Sequence, residues 1–232
     1  DREDLGVDAT TRLSSALHLG TLSATDLASH LDERREEHEH VLRQLCWRDF
    51  SRQLLAANPS LVHAELRDGD WRWVDDLQGL DAWRQGHTGY PVVDAAMRRL
   101  LRDGWMHNRA RMVVASFLTK HLGIDWRHGA RHFMQHLVDG DVANNHAGWQ
   151  WAAGTGTDSR PRRMFNPVTQ SRRHDPQGVA IRRDIAELST AEDVDVHAPW
   201  TAGSRRLAEI GYPAPIVDHA EARTRFLERH GQ

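Results

Sequence analysis

Apolar residues recur along this chain at the three- and four-residue spacing of helices, and no useful stretch alternates apolar with polar. That pattern leaves no material for a sheet or barrel. Val41 to Ala57 places Val41, Leu42, Leu45, Cys46, Phe50, Leu54 and Leu55 on one broad face, and Asn58-Pro59 ends it. Pro91 opens a helix whose core face is Val92, Val93, Ala96, Met97 and Leu100, closed by Gly104. His107 to Leu122 and Trp126 to Val138 follow, with Gly123 as the cap between them. Shorter helices are predicted over Thr10 to Leu19, from the capping box at Ser23-Ala24-Thr25-Asp26 to about Leu31, and near Val179 to Leu188, Ser204 to Gly211 and Asp218 to Arg229. Asp32 to His40 reads as a solvated turn or helix start. Asp68 to Gly89 reads as a loop-rich connection, and the arginine-rich segment beyond Trp151 as irregular. No internal repeat appears. The expectation is one all-α domain over residues 1–232.

Composition narrows the classes. A mean hydropathy of −0.65 and the lack of any run near twenty apolar residues exclude a membrane span. No signal-peptide pattern opens the chain, and the single cysteine, Cys46, rules out an internal disulfide. Both suit a reducing cytoplasm. The net charge of −3 argues against a uniformly basic coat for nucleic acid but allows a local basic face. Only Lys120 among the 30 basic residues is lysine. Arginine suits phosphate clamps, although a GC-rich genome produces the same bias. Nine tryptophans stand against two tyrosines, where average usage would give about three.

The densest chemistry lies in Asp139-Gly140-Asp141-Val142-Ala143-Asn144-Asn145-His146-Ala147-Gly148-Trp149-Gln150-Trp151. Carboxylates and amides can hydrogen-bond a polar heteroaromatic ring, while indoles can stack on it or pass electrons. We read this segment as the floor of a cofactor pocket. Asn145 and Trp149, four apart, share a helix face; Trp149 and Trp151, two apart, point different ways. Trp105 to Met112 opens a helix in which Arg111 runs into the apolar stretch Val113 to Leu118, so its guanidinium needs a partner, for which Asp139 is a candidate. Arg109 is a solvated surface residue on the simplest reading. Thr10-Thr11-Arg12-Leu13-Ser14 offers hydroxyls and amides at a helix start, a natural phosphate site, although ordinary capping explains most such clusters. Arg160, Arg162, Arg163, Arg172 and Arg173 could track a phosphate backbone or line a solvated loop. His128, His132 and His136 mimic metal spacing, but nothing nearby completes a ligand set, and no metal site is expected.

Taken in order, Thr10 to Ser14, Trp47-Arg48-Asp49-Phe50, Gly89-Tyr90-Pro91-Val92-Val93-Asp94-Ala95-Ala96-Met97-Arg98, Trp105 to Met112, Asp139 to Gly156 and Phe165-Asn166-Pro167 resemble the flavin-binding helical domain of the photolyase/cryptochrome family. The likeness is closest to bacterial class I cyclobutane pyrimidine dimer photolyases and covers nearly the whole chain. It implies a bound FAD that donates an electron to a pyrimidine dimer flipped out of UV-damaged DNA. By family position, Thr10, Thr11, Arg12, Leu13 and Ser14 would hold the FAD phosphates. Asp139, Gly140 and Asp141 would contact the flavin and its ribityl region, and Asn145 would face the flavin N5 edge. Val41, Arg48 and Arg111 belong to the same cofactor set. Trp149, Trp126 and Trp73 match the electron relay, running from the flavin outward. Gln44, Trp47, Met112 and Trp151 match positions against the dimer, and Arg2, Asn108, Arg109, Arg163 and Gln170 match DNA contacts.

Two positions depart from the family pattern. Val41 stands where close relatives often carry Trp beside the flavin, and Gln44 where dimer photolyases usually carry a lesion-contacting Glu. An amide can hydrogen-bond a pyrimidine but cannot supply a proton. The family's N-terminal α/β antenna domain is expected to be absent, and no second chromophore is expected to bind. The resemblance therefore implies a monomeric, cytoplasmic, light-dependent DNA-repair lyase. A cryptochrome-like photoreceptor and a non-catalytic FAD- or DNA-binding remnant are the alternatives.

Overall fold

A computed structural model describes residues 3–230, and among them helices and turns account for all regular structure. In chain order the helices are α1 (Ser14–Leu19), α2 (Ala24–Ser29), α3 (Glu36–Ala57), α4 (Leu77–Gln85), α5 (Pro91–Asp103), α6 (Asn108–Ser116), α7 (Trp126–His136), α8 (Val142–Ala153), α9 (Pro167–His174), α10 (Val179–Asp184), α11 (Ser204–Ile210) and α12 (His219–His230). One wide π turn, Phe117–His121, continues α6 before Gly123 reverses the chain.

Side-chain caps explain most starts. Ser23 accepts from Asp26 N–H, His107 from Arg109, Asp125 from Arg127, Asp141 from Asn144 and Asn166 from Thr169, each satisfying a backbone donor at a helix start. Two helices escape the sequence reading. α4 sits inside the expected loop at residues 68–89. Its Asp76 cap is folded over Gly79, where a side-chain carbon would lie 2.3 Å from the Asp76 carboxylate, and this early glycine disguises a helix that buries Leu80 and Trp83. α9 likewise replaces the expected irregular segment, so Arg172 and Arg173 stand on a helix, with Arg172 paired to Asp195 at 2.5 Å. In contrast, α1 begins only at Ser14, and α3 begins five residues earlier than the apolar pattern shows.

The main core lies between α4, α5, α6, α7 and α8 and is built around Trp83, Met97, Phe117, Trp126, Phe133 and Trp149. A second cluster joins Ile181, Ile185, Leu188, Leu207 and Tyr212 to Ala95 of α5. The Gly89-to-Arg98 motif holds the two together. Buried Asp94 accepts from Thr88 N–H (2.8 Å), Thr88 Oγ1 (2.6 Å), Gly89 N–H (3.0 Å) and Tyr212 OH (2.5 Å). Gly89 takes φ +79° and presses on the Ala214 backbone, where no side chain fits. The N-terminal layer is different in kind. α1 and α2 bury no residue, and α3 buries only Leu45 and Ser51 over 22 positions. Its long side lies against α8.

Candidate functional site

The Asp139-to-Trp151 segment folds as a turn followed by α8, and its polar groups divide into two jobs. Asp139 points inward, its side chain 4% exposed, and takes Arg111 Nη2 at 2.8 and 3.0 Å. Arg111 is anchored a second time on Met106 O at 2.8 Å. The guanidinium that runs into an apolar helix is thus paired with its candidate carboxylate and oriented. Asp139 is therefore buried, not directed outward as a helix-end carboxylate would be. Gly140 donates to Leu137 O and turns the chain. Asp141 caps α8 through Asn144 N–H and receives Arg52 Nη2 of α3 at 3.1 Å. Burial opposes its ionisation, but the Asn144 N–H and the Arg52 guanidinium outweigh that and hold its carboxyl below the usual range. Arg52 is a site residue that the sequence reading missed, because nothing in the spacing of α3 ties it to a residue 89 positions away.

Gln150 takes the other job. It is fully buried, donates to Leu61 O and Ala64 O, and accepts Leu66 N–H, so it holds the chain entering the Trp71 segment. Wound at 100° per residue, Asp141, Asn144, Asn145, Gly148 and Trp151 fall within roughly a third of the α8 circumference. Gly148 lies in that arc, exposed, with nothing within 4 Å of where a side-chain carbon would stand. Asn145 Nδ2 donates to Ala130 O of α7 at 3.0 Å, which fixes the amide plane. Trp149 borders this arc beside Asn145 and is 2% exposed, its ring pressed against Gly129 of α7, where a side-chain carbon would be 2.1 Å away. Trp126 lies one turn before Gly129 on the same helix and is fully buried. Trp73 is partly exposed and donates Nε1–H to Glu65 at 3.4 Å.

The other expected residues fall into place less uniformly. Arg48 of α3 donates to Leu17 O at the end of α1, tying those helices together. Val41 is partly buried near the start of α3. The α1 start has Leu13 at its cap with no side-chain cap bond, and Thr10 Oγ1 is buried without a partner. Thr11 and Ser14 are exposed. Arg12 takes φ +52°, pairs with Asp8, and lays its guanidinium 4.8 Å from the Trp105 ring centroid. Its side chain therefore braces the loop before α6. Gln44 and Trp47 are exposed on α3, with Trp47 edge-on to Phe50 at 5.7 Å. Asn108 and Met112 lie one turn apart on α6, Asn108 exposed and Met112 partly so. Arg109 is bonded to Glu3 at 2.7 and 2.5 Å rather than solvated. Arg163 lies 5.2 Å from both the Trp151 and Phe165 ring centroids, so an arginine and an indole from the expected DNA set do meet. Gln170 Oε1 on α9 is buried and unpartnered. Arg2 lies outside the described residues. Among those residues, no three His, Cys, Asp or Glu side chains converge on a metal position, and no helix is long and apolar enough to cross a membrane.

These residues fit the flavin dinucleotide that the resemblance implies. An uncapped helix start and an orphaned Thr10 hydroxyl suit phosphate oxygens. A bare glycine face flanked by amides and an indole suits a flat ring with polar edges.

Comparison with known proteins agrees. Residues 41–232 match the family described as the FAD binding domain of DNA photolyase. A deoxyribodipyrimidine photo-lyase of Streptomyces griseus is 51% identical over 230 residues, covering 99% of this chain and 50% of that protein. Among solved structures, a class III photolyase from Agrobacterium tumefaciens superposes with TM-score 0.90 at 40% identity, covering 98% of this chain and 50% of that one. A Synechocystis cryptochrome superposes with TM-score 0.86 at 34% identity, covering 94% and 49%. The chain spans about half the length of the curated relatives it matches. By family match, identity and fold together, this chain belongs to the FAD-binding domain family of the DNA photolyases.

Proposed function

We propose that this chain holds FAD between α1, α3 and α8 and works, as a monomer in the cytoplasm, in light-dependent repair of cyclobutane pyrimidine dimers in UV-damaged DNA. When bound and reduced, FAD supplies the light-driven electron that splits the dimer and then takes it back. The observation that carries this reading is the α8 face, where Asp141, Asn144, Asn145, Gly148 and Trp151 share one arc and buried Trp149 borders it beside Asn145.

Asp141 and the Arg111–Asp139 pair would hold the ring and ribityl polar groups. Asn145, its Nδ2 committed to Ala130 O, would present its carbonyl oxygen to a ring N–H. Thr10 to Ser14 would take the phosphates. Trp149, Trp126 and Trp73 would return the cofactor to its reduced form by passing electrons inward from solvent. Trp47, Met112, Gln44 and Trp151 would receive the flipped dimer, replacing stacking lost from the duplex at about 1–3 kcal/mol per aromatic partner. Asn108, Arg109, Arg163, Gln170 and Arg2 would meet the flanking strand. Gln44 would offer the lesion a hydrogen bond and no proton.

The test uses the purified protein with FAD, reduced and mixed with dimer-containing oligothymidylate under blue light and in darkness. Light-dependent recovery of thymine absorbance is expected, and Trp149→Phe should slow photoreduction of the oxidised cofactor while sparing repair by chemically reduced protein. Bound, photoreducible FAD without repair would instead favour a photoreceptor, the reading that Gln44 and the likeness to a cryptochrome support. Failure to bind FAD would overturn both.

A further inference from the structure

The expected relay ends at Trp73, but the aromatic path does not. Residues 70–76 run without helical structure, so positions two apart face the same way, and Trp71 stacks on Trp73 at 6.4 Å between centroids and 14° between planes. His230 of α12 packs against both rings, at 5.5 Å from Trp71 and 6.5 Å from Trp73. Charges along the path favour outward movement of a positive hole. Arg127 lies 4.8 Å from the Trp126 centroid, which disfavours a cation on that ring. The same arginine pairs with Glu65, whose Oε1 accepts the Trp73 indole N–H and favours a cation there. The Trp71 N–H rests on Arg67 O at 3.0 Å; a carbonyl cannot take the proton, so a hole on Trp71 remains a protonated radical cation.

Trp71, and not Trp73, lines the groove outside. This groove has a volume of about 470 Å³ and is walled by Trp71, His230, Phe226, Arg67, Arg162 and Arg229. Asp70 on its rim is engaged by Arg72. Of the remaining charged lining groups, three are arginines and two, Asp68 and Glu228, are acidic. An aromatic floor under a net positive rim suits a flat anion of nucleotide size.

We propose that Trp71 is the outer terminus of the tryptophan relay and that its groove docks the reductant that refills it, a small anionic dihydro-heteroaromatic donor of the reduced pyridine nucleotide class. The inference rests on the relay reading above. One electron leaves the donor ring and fills the hole on Trp71, whose N–H proton stays in place; the donor departs as its one-electron-oxidised radical and releases its own proton to water. The hole itself comes from light-driven oxidation of the relay by the oxidised cofactor.

The test follows the tryptophan radical in the FAD-loaded protein by transient absorption after a light flash. Reduced nicotinamide mononucleotide is titrated in, with neutral 1-benzyl-1,4-dihydronicotinamide as the uncharged counterpart. Refilling should saturate with the anionic donor and stay linear in the neutral one. Trp71→Phe should remove the long-lived radical component and the saturation, and Trp71→Tyr, which keeps an oxidisable ring, should restore part of both. Arg162→Glu should raise the half-saturating donor concentration by roughly three- to tenfold. An unchanged radical lifetime in Trp71→Phe, with the signal abolished in Trp149→Phe, would overturn the extension and leave the shorter relay standing. An unchanged signal in Trp149→Phe would overturn the relay itself. Saturation unaffected by both Trp71→Phe and Arg162→Glu would overturn the docking groove.

Discussion

Replacing Gly148 with alanine should change stability in opposite directions with and without the cofactor. A glycine in a helix interior costs about 0.5–1 kcal/mol relative to alanine, through the backbone freedom it loses on folding. Gly148 sits mid-way along α8, and a methyl group there meets nothing within 4 Å, so no clash offsets the gain. The flavin-free variant should therefore be more stable by roughly 0.5–1 kcal/mol, about 1–4 °C in melting temperature for a domain of this size. With FAD the same methyl enters the space where the ring would lie. Overpacking of one carbon costs about 1–3 kcal/mol, or roughly a five- to hundredfold weaker Kd. Urea denaturation of flavin-free protein and fluorescence titration with FAD read the two effects separately. A less stable flavin-free variant would refute the open-space argument. Unchanged FAD affinity would remove this face of α8 from the cofactor site.

Asp139→Ala should leave Arg111 in the interior without its partner, at about 2–4 kcal/mol, below the cost for a fully buried pair because Arg111 keeps a quarter of its side chain exposed; a full flavin complement and an unchanged denaturation midpoint would break the pairing argument. Trp47→Ala should weaken binding to dimer-containing DNA by about 1–3 kcal/mol while leaving undamaged DNA untouched, and equal loss on both in a gel-shift titration would make Trp47 a general surface contact. Burial, and then neighbouring His219, push the His121 imidazole down to about 3. The unfolded chain therefore binds the extra proton first, and the stability His121 contributes is complete above about pH 6.5 and lost as pH falls from there toward 3, at no more than about 1.4 kcal/mol per pH unit. His121→Phe should flatten that acid limb in pH-dependent melting, and an unaltered slope would show that other groups set it.

Most helices and the resemblance could be read from the sequence because both depend on local order: the apolar spacing of α5 and α7, the proline before α5, and the run from Asp139 to Trp151. What escaped depends on encounters between distant segments. The Gly89-to-Arg98 motif looks functional as a string, yet its Asp94 is a fold-locking acceptor for Thr88, Gly89 and Tyr212, the last 118 residues away. Gln150 belongs to the cofactor motif by sequence and to the core by contact. Arg12, placed on a phosphate by the resemblance, takes a left-handed backbone and lays its guanidinium over Trp105, a contact that no local spacing announces. Trp73 joins the relay only by family position, and Trp71 lies unmarked in the loop-rich connection at residues 68–89; extended backbone puts side chains two apart on one side, whereas on α8 the same spacing separates Trp149 from Trp151.

The sparse burial of α1, α2 and α3 has a consequence for exchange kinetics. A layer with so few interior side chains has little stability of its own and opens at low free energy while the core beneath stays folded. Anything clamped under it enters and leaves through that local opening, so its residence time is set by that opening and not by global unfolding. Occupancy in turn raises the opening free energy by the binding free energy at the prevailing concentration. Amide hydrogens of α1 and α2 would then report cofactor loading directly, exchanging fast in empty protein and slowly in loaded protein, while those of α5 and α7 keep one rate in both.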